Sequence, residues 1–477
     1  MLRRMTTLDT LAPTWGGHEL RYAHFGDQRL RTRAIALLLH LAAQPEGALP
    51  AALGNPHALK AAYRFFANAG VTPTAIRAAH RDRTLDRIRP LERLLLVQDT
   101  TELDYTAHPA TTGLGPLACP THQGLLVHTT LALTAAGAPC GVLDQQVWTR
   151  DPAEHGKAAQ RRQRPAEAKE SRRWGEALHA SHQHLSPALE TITIADREAD
   201  IYALFAAPRP PRAHLLIRGT HNRAVTAADE ADAHYLWDAV RRAVPFPTPL
   251  VVAVPRGHAG EARTATLTVR GTTVALHAPH GGPARVPAVR LLLVEEETPP
   301  PGVTPICWLL LTTLPVTTFD EAAQCVRWYT LRWLIERYHY VLKSGCTLEK
   351  LQLEAAGPLQ RAVALNSIVA WRLLHLTYLA RLAPAQPATA CFTREELAVA
   401  CAAVERRALA LAETPPLMVA TRWVARLGGF QGRPSDGPPG PKTLWRGLRR
   451  LDALVEGTRL ALLLYPPSGK PGLVGDA

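Results

Sequence analysis

Leu94-Leu-Leu-Val-Gln-Asp-Thr-Thr101 is the stretch on which the fold turns. Four apolar residues, Leu94 to Val97, run unbroken and end at Gln98-Asp99-Thr100-Thr101. A short apolar run closed by polar residues predicts a buried strand. Downstream, Leu125–Leu133 (LLVHTTLAL) and Gly141–Trp148 (GVLDQQVW) predict two more strands, split by a turn at Ala135–Pro139. A helix is expected over about Glu170–His184 and another strand at Thr191–Ala195. Three strands, a helix and a strand predict a mixed α/β sheet.

Outward from that sheet the text changes character. Residues 1–90 read as mostly helical, with Arg29–Ala43, Ala58–Asn68 and Pro73–His80 at helical spacing. A compact basic helical head is a candidate DNA-binding module, and a plain helical bundle fits the composition equally. Asp151–Arg173 is rich in Arg, Gln, Glu and Lys and predicts a mobile basic loop. From about Pro211 to Thr313, short Val/Leu/Thr segments recur between Gly and Pro turns (HLLIRGT, TPLVVAVP, TATLTVRG, TTVALHAP, AVRLLLVEE, CWLLLTTL), which predicts an all-β insert. Asp320–Leu342 reads as one long helix, 360–382 as a further apolar helix and Thr393–Leu411 as another. Gly428–Lys442 predicts a flexible linker, Thr443–Leu464 a last amphipathic helix, and Tyr465–Ala477 a Pro/Gly tail.

Composition bounds the function. The 477 residues suit two to four domains at about 100–200 residues each. A hydrophobic share of 47% and a charged share of 20% suit a folded chain with ample core. The formal net charge of +13 favours a polyanionic partner, nucleic acid ahead of a membrane surface. Arg richness travels with heavy Ala, Leu and Pro use, so it carries little weight on its own. The seven Cys form no CxxC, which argues against a zinc ribbon and a disulfide framework. No run of about 18 apolar residues occurs, so no membrane span is expected. No secretory signal is visible in MLRRMTTLDT, and a cytoplasmic location is the expectation.

Three acidic residues stand out. Asp99 closes one apolar strand and Asp196, in Ala195-Asp-Arg-Glu-Ala-Asp-Ile201, closes another. A turn or N-cap role explains either one alone. As a pair on parallel neighbours they would share the carboxyl edge of the sheet, where α/β proteins place their ligand sites. Glu336 lies in Tyr329-Thr-Leu-Arg-Trp-Leu-Ile-Glu-Arg-Tyr-His-Tyr-Val-Leu-Lys343. On one continuous helix Tyr329, Arg332, Glu336 and Lys343 would fall within about 60° of arc. That face reads equally as a solvated ion-pair stripe, since Arg332 and Glu336 are an (i, i+4) pair. Converging carboxylates would suit two Mg²⁺ ions serving the attacking and leaving oxygens of a phosphodiester displacement. Tyr329, Arg332 and Lys343 would then supply donors for neighbouring phosphates.

These residues resemble a known family. Tyr329, Arg332, Glu336 and Lys343 match the Tyr-x2-Arg-x3-Glu-x6-Lys signature of DDE transposases from bacterial insertion sequences, in the IS-four group and nearest its Tn-five type. LLLVQDTTELDYT around Asp99 and TIADREADIY around Asp196 look like the family's two Asp motifs. AAYRFFAN (61–68) and FGDQRLRTR (25–33) look like its end-binding region, and ARLGGF (425–430) like its dimerisation region. The likeness covers nearly the whole chain.

The resemblance implies an RNase H-like core interrupted by a β insert at about 208–315. It implies a helical end-binding domain over 1–88, a catalytic domain over 89–385 and a helical dimerisation domain over 386–477. Asp99, Asp196 and Glu336 would hold two Mg²⁺ ions, with Mn²⁺ able to substitute. The partners implied are double-stranded DNA, as transposon ends and target, and a second copy of the chain. Water nicks one strand, the freed 3′-OH attacks the other to form a hairpin, a second water opens it, and the 3′-OH joins the target. Trp308 matches a residue that stacks a flipped base, although the residues alone read it as a strand's core side chain. Arg218 and His339 match family positions near the site, and Arg29 and Arg64 stand in the end-binding motifs. Glu170-Ser-Arg-Arg-Trp174 resembles a segment that approaches the transposon end. Tyr340 departs from the family's Lys, which puts one phosphate contact in doubt or moves it to Arg337. A nuclease that cuts without joining, and a transposase-derived binder without activity, are the alternatives.

Overall fold

The structure, a computed structural model, describes residues 14–45, 47–154, 169–227, 233–254, 262–278, 288–433 and 436–465. Its helices are α1 (Trp15–Glu19), α2 (Gln28–Ala43), α3 (Leu49–Leu53), α4 (Pro56–Ala67), α5 (Pro73–Ile88), α6 (Arg172–His182), α7 (Tyr202–Ala206), α8 (Leu236–Arg242), α9 (Phe319–Thr330), α10 (Trp333–Tyr340), α11 (Ala356–Leu382), α12 (Arg394–Glu405), α13 (Leu417–Leu427) and α14 (Pro441–Leu464). Its strands are β1 (Arg93–Asp104), β2 (Gly115–Pro116), β3 (Gln123–Thr134), β4 (Pro139–Trp148), β5 (Glu190–Ala195), β6 (Ala213–Arg218), β7 (Ala224–Ala227), β8 (Ala233–Tyr235), β9 (Leu250–Val254), β10 (Arg263–Leu276), β11 (Val289–Glu295) and β12 (Cys307–Thr312). The chain divides into two compact units. One gathers the segment up to Ala79, Tyr340–Leu351 and the segment from Arg361 onward; the other is His80–His339 with Gln352–Gln360.

In the helical unit the caps follow from short polar side chains. Asp27 accepts the Arg29 N–H at 2.7 Å and starts α2, whose buried face is Ala34, Ile35, Leu37, Leu38, Leu41 and Ala42. Asn55 accepts the Ala58 N–H at 2.8 Å and, with Pro56 next, starts α4. Phe25 and Phe65 meet edge to face at 6.2 Å. A Thr393–Glu396 capping box starts α12. Gly428 and Gly447 let α13 and α14 approach backbone to backbone: a Cβ on Gly447 would lie 1.8 Å from the Val424 carbonyl oxygen. By length and composition α11 could cross a membrane, yet 78% of its apolar window is buried inside the protein. Its Arg372 is buried too, with the Trp15 ring 4.0 Å away and the Glu396 carboxylate at 3.9 Å.

The other unit is built on one large mixed sheet. Its order is β2-β3-β1-β5-β6-β12-β11-β10-β7-β8, with β4 beyond on β3 and β9 on β10. Within it, β4-β3-β1-β5-β6 has β3 antiparallel to both neighbours and β1, β5 and β6 parallel. This is the strand order of an RNase H-like core. Strand β12 pairs antiparallel with β6, so the strands of the insert extend the same sheet. Helix α5 packs tightly on β4: a Cβ on Gly141 would lie 1.9 Å from Thr84 Oγ1. The Val142 N–H donates to His80 Nε2 at 3.0 Å and Arg87 Nε donates to the Cys140 carbonyl at 2.7 Å.

Several expectations are corrected. Strand β1 does not end at Asp99. It runs on to Asp104, because β3 continues the antiparallel ladder to Asp104↔Gly124 after the parallel pairing with β5 has stopped at Val97↔Ile194. The expected helix Asp320–Leu342 is not continuous. It breaks at Leu331-Arg332 into tight i→i+3 turns, with Arg332 N–H on the Tyr329 carbonyl at 3.0 Å and Ile335 N–H on Arg332 at 3.1 Å. Beyond α10 it widens into a π-helical turn, Val341–Gly345, closed by Cys346 N–H on Val341 at 2.8 Å. The insert is not all-β, since α8 packs Leu236, Ala239 and Val240 into its core. TATLTVRG and the TTVAL of the next segment form one strand, β10, with Gly271 inside it. The helix expected over Thr393–Leu411 stops at Glu405, where Arg406 turns left-handed at φ 57. Most of the basic loop (155–168), the tail from 466 and positions 434–435 of the linker lie outside the described residues.

Candidate active site

The two aspartates reach one edge by register. The parallel pairing of β1 with β5 ends at Val97↔Ile194. Asp99 and Asp196 each stand two residues further on, so the two-residue alternation of strands puts them on the same face. Asp99 Oδ1 accepts the Thr100 N–H at 2.8 Å. Asp196 caps the turn Arg197–Ala199, its Oδ1 accepting the Glu198 N–H at 2.9 Å. The Asp99 carboxyl is pushed up to about 7 by burial and by the Asp196 charge, with Glu198 adding; the Thr100 N–H and Arg332 pull the other way. Glu198 is also raised, by burial and then by Asp196.

Tyr329 and Arg332 close the other side. Burial raises the Tyr329 phenol, while the charges of Arg332 and Arg218, and a hydrogen bond with Arg218, pull it back. Burial works against the Arg332 charge, yet Glu336, Tyr329 and Asp99 together hold it above its ordinary value. Its Nη2 donates to Glu336 Oε1 at 2.5 Å. Glu336 is therefore held on Arg332, with its side chain 56% exposed. The broken helix explains this: Arg332 sits in the break and Glu336 on the first turn of α10.

The remaining expected residues are placed as follows. Arg218 ends β6 and donates to the Cys307 carbonyl at 3.3 Å. Trp308, on β12, is half-buried and meets the Tyr329 ring edge to face at 5.3 Å. His339 is buried, with Nδ1 3.9 Å from Asp99 Oδ2. Lys343 lies in the π-helical turn and pairs with Glu349 at 3.2 Å. Tyr340 is exposed, and the Arg337 guanidinium lies 5.3 Å from the Trp333 ring. Arg29 on α2 and Arg64 on α4 are exposed on the helical unit.

Sequence reasoning missed a second ring of charges. Arg150 donates to Glu170 at 2.7 Å and to Glu102 at 3.4 Å, and its charge reaches Glu198. The Asp-x-Glu spacing in Asp196-Arg-Glu198 was the available signal. Asp200, in the same motif, has a structural role. It is buried, accepts the N–H groups of Thr220 and His221 at 2.8 and 2.9 Å, pairs with Arg223, and so fixes the turn that follows Arg218.

The donor chemistry can be tested against a divalent cation. Hard carboxylate oxygens are what Mg²⁺ takes. A like charge that raises a neighbouring carboxyl's proton affinity, as Asp196 does to Asp99, is what a cation would relieve. Asp99 and Asp196 fit on both counts. Glu336 fits only once it leaves Arg332, and among the described residues no group of three or more His, Cys, Asp or Glu is gathered to hold an ion as it stands.

Comparison with known families defines the class. A family described as transposase DNA-binding matches residues 12–71, which include Arg29 and Arg64. The chain thus carries a DNA-binding domain of the transposase kind, followed by a mixed α/β sheet and further helices. A second family, the transposase Tn5 dimerisation domain, matches residues 368–466. Together the two matches fit a Tn5-like transposase. Neither match covers Asp99, Asp196 or Glu336, so both speak to DNA binding and pairing.

Proposed function

We propose that this protein is a cut-and-paste DNA transposase that binds its transposon's inverted-repeat ends, nicks them, forms and resolves a hairpin, and joins the freed 3′-OH to target DNA. The observation that carries this reading is a pair of carboxylates, Asp99 and Asp196, held together at the carboxyl edge of parallel strands, in a chain with transposase DNA-binding and dimerisation domains. Asp99, Asp196 and Glu336 would hold two Mg²⁺ ions, or Mn²⁺ in their place. When bound, these supply an activated oxygen nucleophile and stabilise the leaving oxygen.

The chain's own residues do the rest. Arg332 balances the acidic site and, released from Glu336, can turn to a phosphate oxygen. Tyr329 and Arg218, already hydrogen-bonded to each other, offer donors beside it. Lys343 and His339 are further candidates for DNA contact. Trp308 presents an aromatic face for a flipped base, where stacking is worth about 1–3 kcal/mol. Trp308→Ala should leave the first nick near its normal rate and reduce hairpin product; equal loss of both would remove Trp308 from that role. Residues 1–88 would grip the end, 89–385 cut and 386–477 pair two copies, in the cytoplasm on the bacterial nucleoid.

The test is Asp99→Ala. It should keep binding to end DNA and lose nicking by on the order of a thousandfold, the equivalent of about 4 kcal/mol of barrier. Unchanged nicking overturns the assignment. A transposase-derived binder with weak chemistry is the second reading, favoured by the Glu336–Arg332 pair. A nuclease without joining is separated by strand transfer with pre-cut ends, where hydrolysis alone would support it.

A further inference from the structure

Away from the carboxylates, the helical unit holds a cavity of about 640 Å³ lined by the end of α11, one face of α13, and residues within 430–433 and 437–439. Four guanidiniums line it: Arg381, Arg422, Arg426 and Arg433. No acidic side chain is among its lining residues. Arg426 reaches Glu405 at 3.5 Å across an exposed rim and Arg381 donates to the Pro439 carbonyl at 2.9 Å. Arg422 and Arg433 are left to face solvent without a carboxylate partner among the described residues. Four cations around one cavity repel each other unless an anion is shared among them.

Phe430 and Met418 add an apolar and aromatic surface to the same lining. The volume lies in the range of small-molecule pockets, about 300–1,000 Å³.

We propose that this cavity binds a nucleoside phosphate, its phosphoryl oxygens held by Arg422, Arg426 and Arg433 and its base against Phe430 and Met418. The ligand is a free nucleotide or the terminal nucleotide of a DNA strand, which share this chemistry. The site does not depend on the carboxylate assignment, and its failure would leave that assignment intact.

The test uses the full chain and 8-azido-deoxyadenosine monophosphate as a photoreactive probe. After irradiation and digestion, the adduct should map to peptides spanning 418–433. Arg422→Ala with Arg426→Ala should lower labelling about tenfold or more, the scale of losing forked phosphate contacts. Arg449→Ala, exposed on α14 and not among the cavity's lining residues, should leave labelling unchanged. Adducts confined to other segments, or full labelling of a double variant that melts like wild type, overturn the proposal. Should the double variant fail to fold, Arg433→Ala decides. Its side chain is exposed, so it should melt with wild type and label about threefold less or lower, as expected for one lost charge-assisted hydrogen bond; equal labelling overturns the site. Competition by dAMP alone identifies a free nucleotide, and competition by a 5′-phosphorylated tetranucleotide as well identifies a strand end. Displacement by inorganic phosphate with no advantage for either nucleotide shows an anion site without nucleoside recognition and also overturns the proposal.

Discussion

Two carboxyls in different halves of the molecule are pushed up to about 7, and burial is the main cause for each. Asp452, on α14, lies among Arg372, Glu396 and Arg459, so cations within its own cluster pull its proton affinity back. Asp99, on β1, has Asp196 and Glu198 as neighbours, and the cation whose charge acts on it, Arg332, is already bonded to Glu336. The same displacement therefore has two meanings. Around Asp452 two cations stand among the carboxylates, and burial is what holds the proton. Around Asp99 negative charge is gathered and left under-compensated, which is costly unless something cationic arrives. A perturbed carboxyl marks a site only when its neighbours share its sign.

The comparison can be broken or sharpened by pH. Asp99's carboxyl moves from an ordinary 3.8 to about 7 in the fold, so the folded chain holds that proton more tightly than the unfolded one. Its contribution to stability is complete below about pH 4 and is lost as pH rises toward 7. Asp99→Asn cannot ionise and keeps it. The variant should melt with wild type at pH 4 and above it at pH 8, by up to a few kcal/mol at about 1.4 kcal/mol per pKa unit. A constant difference across that range would remove the perturbed group from Asp99.

Divalent metal separates the two regions next. Mg²⁺ at about 100 times its dissociation constant stabilises the fold that binds it by about 2.7 kcal/mol. Wild type should therefore melt several degrees higher with Mg²⁺ than without. Asp99→Asn and Asp196→Asn should lose the shift, and Asp452→Asn should keep it. A shift that survives Asp99→Asn, or vanishes in Asp452→Asn, places the metal elsewhere.

The smallest expected effect is the coupling of Arg332 to Glu336. Half exposed, the pair should contribute about 0.3–1 kcal/mol in a double-mutant cycle with Arg332→Ala and Glu336→Ala in metal-free protein. That coupling should fall toward zero once Mg²⁺ and end DNA are present. A coupling unchanged by both would make the pair a permanent surface bridge.

Much of this organisation was legible in the residues themselves. The apolar runs at Leu94 and Thr191 located β1 and β5, and the equal offsets of Asp99 and Asp196 from their runs anticipated a shared edge. The motifs in 25–33, 61–68 and 425–430 fall inside the matched DNA-binding and dimerisation domains. What stayed hidden depends on partners distant in the chain. The length of β1 beyond Asp99 is set by β3, whose ladder lets polar residues continue a strand. The break at Leu331-Arg332 has no Pro or Gly to announce it. The helix Leu236–Arg242 lies among strand-like segments and is fixed by burial of Leu236 and Val240. That Glu336 turns onto Arg332 is a side-chain choice, and (i, i+4) spacing allowed it without requiring it.

The central claim is that Asp99, Asp196 and Glu336 share divalent cations. Anomalous diffraction from the protein crystallised with Mn²⁺ and a duplex carrying its own inverted repeat tests it most directly. Two peaks about 3.5–4 Å apart, touched by all three carboxylates with Glu336 free of Arg332, are the predicted result. Manganese bound away from Asp99 and Asp196, or Glu336 still paired to Arg332 beside an ordered DNA end, would contradict it.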